Sequence, residues 1–314
     1  MWKEKNQTFA RDFILLGLLD PNQYGLLFLT LILIIFMVAI MGNIVLILLI
    51  CLDIQLHTPM YFFLSHLSFT DILHISNIVP KMASNFISGR KSITFAGCGF
   101  QIFLSVMFVC AQCLILVAMS YDRYVAICHP LHYPILMNLR ISVFVSASCW
   151  IGGAINSAIH VLYVMFLPYC GTRVIDHFFC EIPALLKLSC IDTSQYEGGL
   201  HVSAILFLLI PFCIILASYG QILHTVLHMK SKEAQKKAFS TCSSHLAVVV
   251  IFYGPSIFTY LRPKSYHTPG QDKVLAIAYT IVTPMFNPII YSLRNKDVLC
   301  AMKKVLGKTL MQKK

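Results

Sequence analysis

The sequence predicts an all-α membrane protein: a seven-transmembrane helix bundle with its N-terminus outside and a short amphipathic helix after the seventh span. Three observations predict it. Of the 314 residues, 58% are hydrophobic and only 12% are charged, whereas a soluble domain carries about 25% charged residues to meet water. The apolar residues gather into seven long blocks, and a hydrocarbon core about 30 Å thick needs a helix of roughly 20 apolar residues to cross it. The segment after Arg294 is short and basic, which suits the surface of a cytosolic leaflet. The same feature accounts for much of the formal charge of +11, and no dense basic stripe interleaved with aromatics points to nucleic acid.

The first block, Tyr24 to Leu52, meets no charge until Asp53. The second runs from Pro59 to Ile87 around one carboxylate, Asp71, and the third from Phe95 to Ile127, ending at Asp122-Arg123-Tyr124. Polar residues inside these two make them the weakest spans by hydropathy. The fourth covers Ile141 to Leu167, the fifth Gly199 to Met229, the sixth Ala238 to Leu261 and the seventh Val274 to Leu293. The chain thus divides into an extracellular N-terminus (1–23), a seven-span domain (24–293) and a cytoplasmic tail with a membrane-surface helix (294–314). The apolar run from Phe13 to Leu19 is near the minimum for a signal-peptide core and lacks a small-residue cleavage site, so the first span is expected to insert uncleaved. No repeat of fixed period relates the two halves, which argues against an inverted-repeat transporter.

Lys and Arg divide almost evenly between the two sides, so the positive-inside rule hardly sets orientation. Two chemical signals do better. Asn6-Gln7-Thr8 is a glycosylation sequon, used only in the secretory lumen. Of twelve cysteines, Cys98, Cys170, Cys180 and Cys190 fall in segments that would face outside, where disulfides persist. Four cysteines allow three pairings; the favoured one is Cys98 with Cys180 and Cys170 with Cys190, which lays the loop from Pro168 to Gly198 over the bundle.

Polar groups inside a membrane are costly and mark function. Asp71 should face the bundle interior, with Asn43, Asn287 and Ser68 as possible partners from other positions. In the seventh block, Pro284 and Pro288 lie four apart, remove two backbone donors and free carbonyls that need polar neighbours. Cys98 and Arg123 are 25 residues apart, or about 37 Å of helix, so the third span joins the outer loop to an acid–arginine pair at the inner face.

These residues resemble the rhodopsin-like receptors: Asp122-Arg123-Tyr124, the run from Asn287 to Tyr291, Asn43, Asp71, Trp150 and the Cys98/Cys180 pair. Longer stretches resemble one branch, the odorant (olfactory) receptors: Leu56 to Ser65, Met119 to Cys128, Ser218-Tyr219, Lys237 to Leu246 and Pro284 to Asn295. The resemblance spans essentially the whole chain. It implies a receptor in the plasma membrane, and in the cilia of olfactory neurons, that binds a small volatile odorant. It further implies activation of a heterotrimeric stimulatory G protein, raising cyclic AMP. Asp122, Arg123, Tyr124, Tyr219 and Tyr291 would form the inner switch, and Tyr253 the toggle. Gln112 departs from the family, which usually carries a glutamate there that joins the helix-two aspartate around sodium. Weakened sodium binding near Asp71, Asn43, Gln112 and Asn287 is the expectation, and no cofactor is implied.

A ligand site can also be read from helical spacing. Ile102, Ser105, Val106, Val109, Cys110 and Cys113 share one face of the third span, in its outer half. Ser203 and Phe207 match in depth on the fifth, Tyr253, Ser256, Ile257 and Tyr260 on the sixth, and Ile277 and Thr280 on the seventh. No charged side chain lies in the outer halves of spans three and five, or in span six before Arg262. A charged ligand would need a buried counter-ion, so the expected ligand is small, neutral and mostly apolar, held by hydroxyls of Ser105, Ser256, Tyr260 or Thr280. Lys264, His201 and Glu181 near the mouth leave an opening for polar odorants. Enzyme readings lack support: the sequence has no phosphate loop, no nucleophile elbow and no suitable carboxylate pair, and His224 with His228 finds no third metal ligand.

Overall fold

The computed structural model describes residues 12–18, 23–229, 231–262, 266 and 268–311; the sequon at Asn6 and Lys264 lie outside them. Seven long helices among the described residues run side by side: α1 (Gln23–Leu52), α2 (Pro59–Ser88), α3 (Phe95–Cys128), α4 (Leu139–Phe166), α5 (Ser194–Leu227), α6 (Lys232–Leu261) and α7 (Pro269–Ile277, continuing to Thr283–Arg294). An eighth, α8 (Lys296–Met311), follows the seventh. Its Val298 and Ala301 are buried and Met302 and Val305 pack on the core, while Lys303 and Lys304 are exposed. The tail helix is therefore amphipathic.

Local sequence sets the helix starts. Thr58 precedes Pro59 at the first turn of α2, where a proline loses no hydrogen bond. Thr94 and Asn138 cap α3 and α4 by accepting from the backbone N–H of Gly97 and Ile141. Helices α5, α6 and α7 begin five to six residues before the apolar blocks of the sequence, at Ser194, Lys232 and Pro269, because polar turns continue them past the hydrocarbon.

Six of these helices contain an eighteen-residue stretch apolar enough to cross a membrane, and α2 does not. The expected weakness thus holds for the second span only. In α3 the polar residues are diluted among Phe, Leu and Val, whereas α2 carries Ser65, His66, Ser68, Thr70, Asp71, His74, Ser76 and Asn77 within a few turns. The bundle is apolar outside as well as inside. Leu27, Ile34, Met37 and Met41 of α1 and Phe144, Ile151, Ile155 and Ile159 of α4 are all exposed, as lipid-facing side chains must be.

Helix α4 lies closely on α3 through a stripe of small residues, Ser142, Ser146, Cys149, Gly153 and Ser157, the pattern that lets membrane helices approach. At Gly153 a Cβ would stand 2.7 Å from the Met107 carbonyl oxygen. Prolines shape the other helices. A π turn, Ile205–Leu209, precedes Pro211 in α5, and another, Ala278–Val282, precedes Pro284 in α7. Pro288 cannot donate to the Pro284 carbonyl four residues back; Asn43 Nδ2 of α1 donates to it instead, at 2.9 Å. Likewise Pro255 in α6 frees the Ile251 carbonyl, which accepts from Thr283 Oγ1 of α7 at 3.4 Å. The carbonyls expected to need polar neighbours find them on adjacent helices.

The outer end carries an element the all-α reading lacks, a three-stranded sheet. Its central strand β1 (Phe13–Leu15) pairs antiparallel with β2 (Ser92–Ile93) and parallel with β3 (Val174–Ile175). Phe13 and Leu15 are buried beneath it. Strands of two or three residues whose partners lie far along the chain leave no periodic signal in sequence. Two disulfides complete this end: Cys98–Cys180 ties α3 to the long loop, and Cys170–Cys190 closes the loop on itself.

Candidate functional site

Two adjoining cavities occupy the outer half of the bundle. The first, of about 450 Å³, lies between α3, α4, α5 and α6 and is lined by Val106, Val109, Cys110, Cys113, Ser203 and Phe207, with Leu200, Leu208, Asn156 and His160. The second, of about 300 Å³, sits directly under the loop and is lined by His74, Ile102, Ser105, Phe179, Glu181 and Tyr279. Val106, Val109, Ile182 and Tyr260 wall both. The π turn of α5 contributes Phe207 and Leu208 to the first cavity, and that of α7 brings Tyr279 to the second. The wider turns rephase each helix ahead of its proline, a common device at functional sites.

Of the residues proposed from helical spacing, Ile102, Ser105, Val106, Val109, Cys110, Cys113, Ser203, Phe207 and Tyr260 line these cavities. Five do not. Tyr253 is fully buried below them and donates from its hydroxyl to the Cys113 carbonyl at 2.9 Å. Ser256 and Thr280 donate their hydroxyls to the carbonyls of Phe252 and Ala276 in their own helices, at 2.8 and 2.6 Å, and so have no O–H left to donate to a ligand. Ile257 and Ile277 pack against neighbouring core clusters.

The loop adds residues that helical periodicity could not reveal. The disulfide at Cys180 presses Phe179, Glu181 and Ile182 against the bundle. The expectation of an uncharged pocket holds for the helices and fails for this loop. Glu181 is 5% exposed; its Oε1 accepts from Tyr279 at 2.8 Å and from Tyr260 at 3.3 Å. Burial, opposed by the Tyr279 hydrogen bond, pushes its carboxyl up to about 7. His177 Nε2 stands 3.3 Å from Oε2 without an aligned hydrogen bond, and burial with the nearby Lys273 charge pushes that imidazole down to about 3. Both directions oppose charging, so the two are not an ion pair.

At mid-depth, Asp71 is fully buried, with Oδ1 accepting from Gln112 Nε2 at 2.7 Å and Oδ2 from Asn287 Nδ2 at 2.8 Å. Asn43 and Ser68 are buried nearby but make no hydrogen bond to Asp71; Asn43 instead serves the Pro284 carbonyl and Ala39. The amide oxygens of Asn43, Gln112 and Asn287, and the Tyr291 hydroxyl, are buried without a protein partner. Such oxygens suit water or a small hard cation, with one carboxylate rather than two to compensate its charge.

At the inner end, Asp122 is completely buried and holds Arg123 through Nη2 at 2.7 Å and Nε at 3.1 Å. Its other oxygen accepts from Tyr133 at 2.8 Å. Tyr124 pairs with His129 Nε2 at 3.0 Å, and Tyr219 with His245 Nδ1 of α6 at 2.8 Å. Tyr219 and Tyr291, expected in the inner switch with Arg123, make no hydrogen bond to it in this arrangement. The sequence gives no sign of either partner: Tyr133 lies outside the apolar blocks, and His245 follows a run of small polar residues, Ser240 to Ser244, that blurs it at the start of the sixth.

A carboxylate-held arginine and a capped, mostly apolar cavity at opposite ends of one helix are the layout of a ligand-gated signalling bundle. Comparison with known proteins decides the family: the model for the olfactory receptor family matches residues 32–309. The chain belongs to the olfactory receptor family. It is 60% identical over 310 residues to human olfactory receptor 2AJ1, covering 99% of this chain and 94% of that one. It is 55% identical to human olfactory receptor 2L8 and 53% to mouse olfactory receptor 2V1, each alignment covering 96% of both chains. An olfactory receptor is a seven-span, multi-pass plasma-membrane protein, and the seven helices described above supply that bundle.

Proposed function

We propose that this receptor binds small, volatile, mostly apolar odorants in the paired outer cavities and responds by activating a stimulatory G protein that raises cyclic AMP. The observation that carries the reading is the cavity on α3, whose lining is mostly apolar, with Asn156, His160, Ser203 and Tyr260 as its polar members. Such a wall favours apolar ligands and a few directed hydrogen bonds. Val109 and Arg123 are 14 residues apart on the same helix, or about 21 Å.

The route between them is short. Tyr253 stands under the cavity, bonded to Cys113 and packed against Phe212 of α5 and Phe252. An odorant pressing on Cys113 and Phe207 bears on Tyr253 and so on α6. Movement of α6 breaks the Tyr219–His245 bridge between α5 and α6 and frees Arg123 to leave Asp122. The odorant shifts the equilibrium by as much as it prefers the open bundle over the closed one.

The test is a cyclic-AMP reporter in cells expressing the full chain, scanned with a panel of neutral odorants. At least one should raise the signal at surface expression confirmed by antibody. Silence across the panel at that expression overturns the ligand reading.

A further inference from the structure

The cavity beneath the loop has a polar wall that an apolar odorant leaves unused. Glu181 lines it at 5% exposure, and His74 of α2 lines it fully buried, with neither ring nitrogen bonded to the protein. Ser105 stands on the same wall, its Oγ already accepting from Asn77 Nδ2 at 3.0 Å. Among the described residues, two other acids around the mouth have basic partners: Asp176 pairs with Lys273 at 2.6 Å, and Asp272 with Arg262 and, at 3.9 Å, with Lys187. Glu181 has no such partner there, only the hydroxyls of Tyr260 and Tyr279 and the uncharged ring of His177. Lys187 faces Glu181 on the outer side without pairing to it, and no Lys or Arg among the described residues lines the cavity on the inner side, where the position of a cation is open.

We propose that Glu181, His74 and Ser105 form a cation subsite that takes the ammonium head of a small volatile amine, with its hydrocarbon tail in the adjoining apolar cavity. The proposal rests on the odorant reading above and adds the chemical class that the loop selects. An ammonium has three donors and no acceptor. The subsite offers three matching acceptors: a carboxylate oxygen of Glu181, a ring nitrogen of His74 and the Ser105 hydroxyl. Val106 and Val109, which wall both cavities, lead from this head-group position to Cys110, Cys113 and Phe207. The amine enters as its cation and Glu181 releases its proton to the outer solution, so the site holds one negative and one positive charge when filled.

The titratable and charged groups that face Glu181 are His177, Asp176 and Lys187 from the loop, Tyr260 from α6, Tyr279 and Asp272 from α7, and His74 from α2; Arg262 of α6 is held by Asp272. None of the acids among them is nearer to the cavity than Glu181, which alone of them lines it.

Hexylamine, 1-hexanol and hexanal share one tail length and differ in the head, and the cyclic-AMP reporter reads their half-maximal concentrations on the intact receptor. Hexylamine is expected to be more potent than either neutral compound by about tenfold, the scale of a hydrogen bond to a charged group. In Glu181→Gln the ratio of amine to neutral potency should collapse by a similar factor of about ten, whereas a merely structural change lowers all three responses together. Should Glu181→Gln fail to reach the surface, Ser105→Ala provides the same ratio, and an unchanged ratio there overturns the subsite. If the neutral compounds activate and hexylamine does not, the subsite is overturned while the odorant reading holds. If hexanal leads, Glu181 acts as a protonated donor to a carbonyl, and the cation subsite is again overturned. If neither these three nor the neutral panel raises the signal at confirmed surface expression, the odorant reading falls and the subsite with it.

Discussion

At the scale of single residues, two buried carboxylates set the chemistry. Glu181 lies outside the spans, and burial raises its carboxyl to about 7 from an ordinary 4.5. A raised carboxyl favours its protonated form in the folded receptor, so the stability it contributes is complete below about 4.5 and is lost as pH rises through about 7. An amine cation requires the opposite state. Below pH 7 it must displace the proton, so amine potency should rise by up to about tenfold per pH unit between roughly 5.5 and 7, then level off. His177, held near 3, stays neutral across that window. Dose–response curves at stepped outer pH check this, with a neutral odorant as the flat control. Asp71 makes the second case. Gln112 Nε2 occupies one of its oxygens, a donor where the resemblance leads us to expect a second carboxylate. Gln112→Glu would place two negative charges together in a buried site. That variant is expected to lose thermal stability in sodium-free buffer and recover it as sodium is added, with a larger sodium-dependent melting shift than the parent receptor. Equal shifts in both would remove Gln112 from any role in ion binding.

At the scale of elements, helix contacts follow from small residues and prolines that are plain in the sequence. Gly152 and Gly153 are neighbours, yet their surroundings differ. A Cβ at Gly153 meets the Met107 carbonyl at 2.7 Å, while at Gly152 it meets only a Leu114 methyl at 3.8 Å. Gly153→Ala should therefore push α4 off α3 and cost about 1–3 kcal/mol, read as a lower melting temperature in detergent, and Gly152→Ala should leave it unchanged. The seven spans, the broken α7 and the partnered Pro284 carbonyl were legible because each follows from composition or from a missing donor along one stretch of chain. The strand β1 and the inward turn of Glu181 were not. Each depends on pairings between distant segments, Phe13 with Ile93 and Cys98 with Cys180, and periodicity within one segment carries no record of them. The same limit explains Ser256 and Thr280. Spacing put them on the right face, but whether a hydroxyl points to a cavity or to its own helix is a rotamer choice that neighbours decide.

For the whole molecule, the question is what keeps the bundle closed until a ligand arrives. The inner end is held by one buried acid: Asp122 binds Arg123 through two donors and Tyr133 through a third, so it joins the end of α3 to the segment that follows. The α5–α6 contact at Tyr219 and His245 adds a second hold. Removing the negative charge while keeping the shape isolates the first. In Asp122→Asn the arginine loses its charged acceptor, and a hydrogen bond to a charged group contributes about 1.5–3 kcal/mol. Closed and open populations differ by only a few kcal/mol in a working switch, so this variant should raise ligand-free cyclic AMP several-fold at matched surface expression. Arg123→Ala removes the side chain that the released state presents to its partner, so it should abolish the odorant response without raising the basal signal. The double variant decides between a lock and a coupling element: if Arg123 is what Asp122 restrains, Asp122→Asn combined with Arg123→Ala stays silent. A basal signal persisting in the double variant would mean that Asp122 holds the bundle through Tyr133 alone.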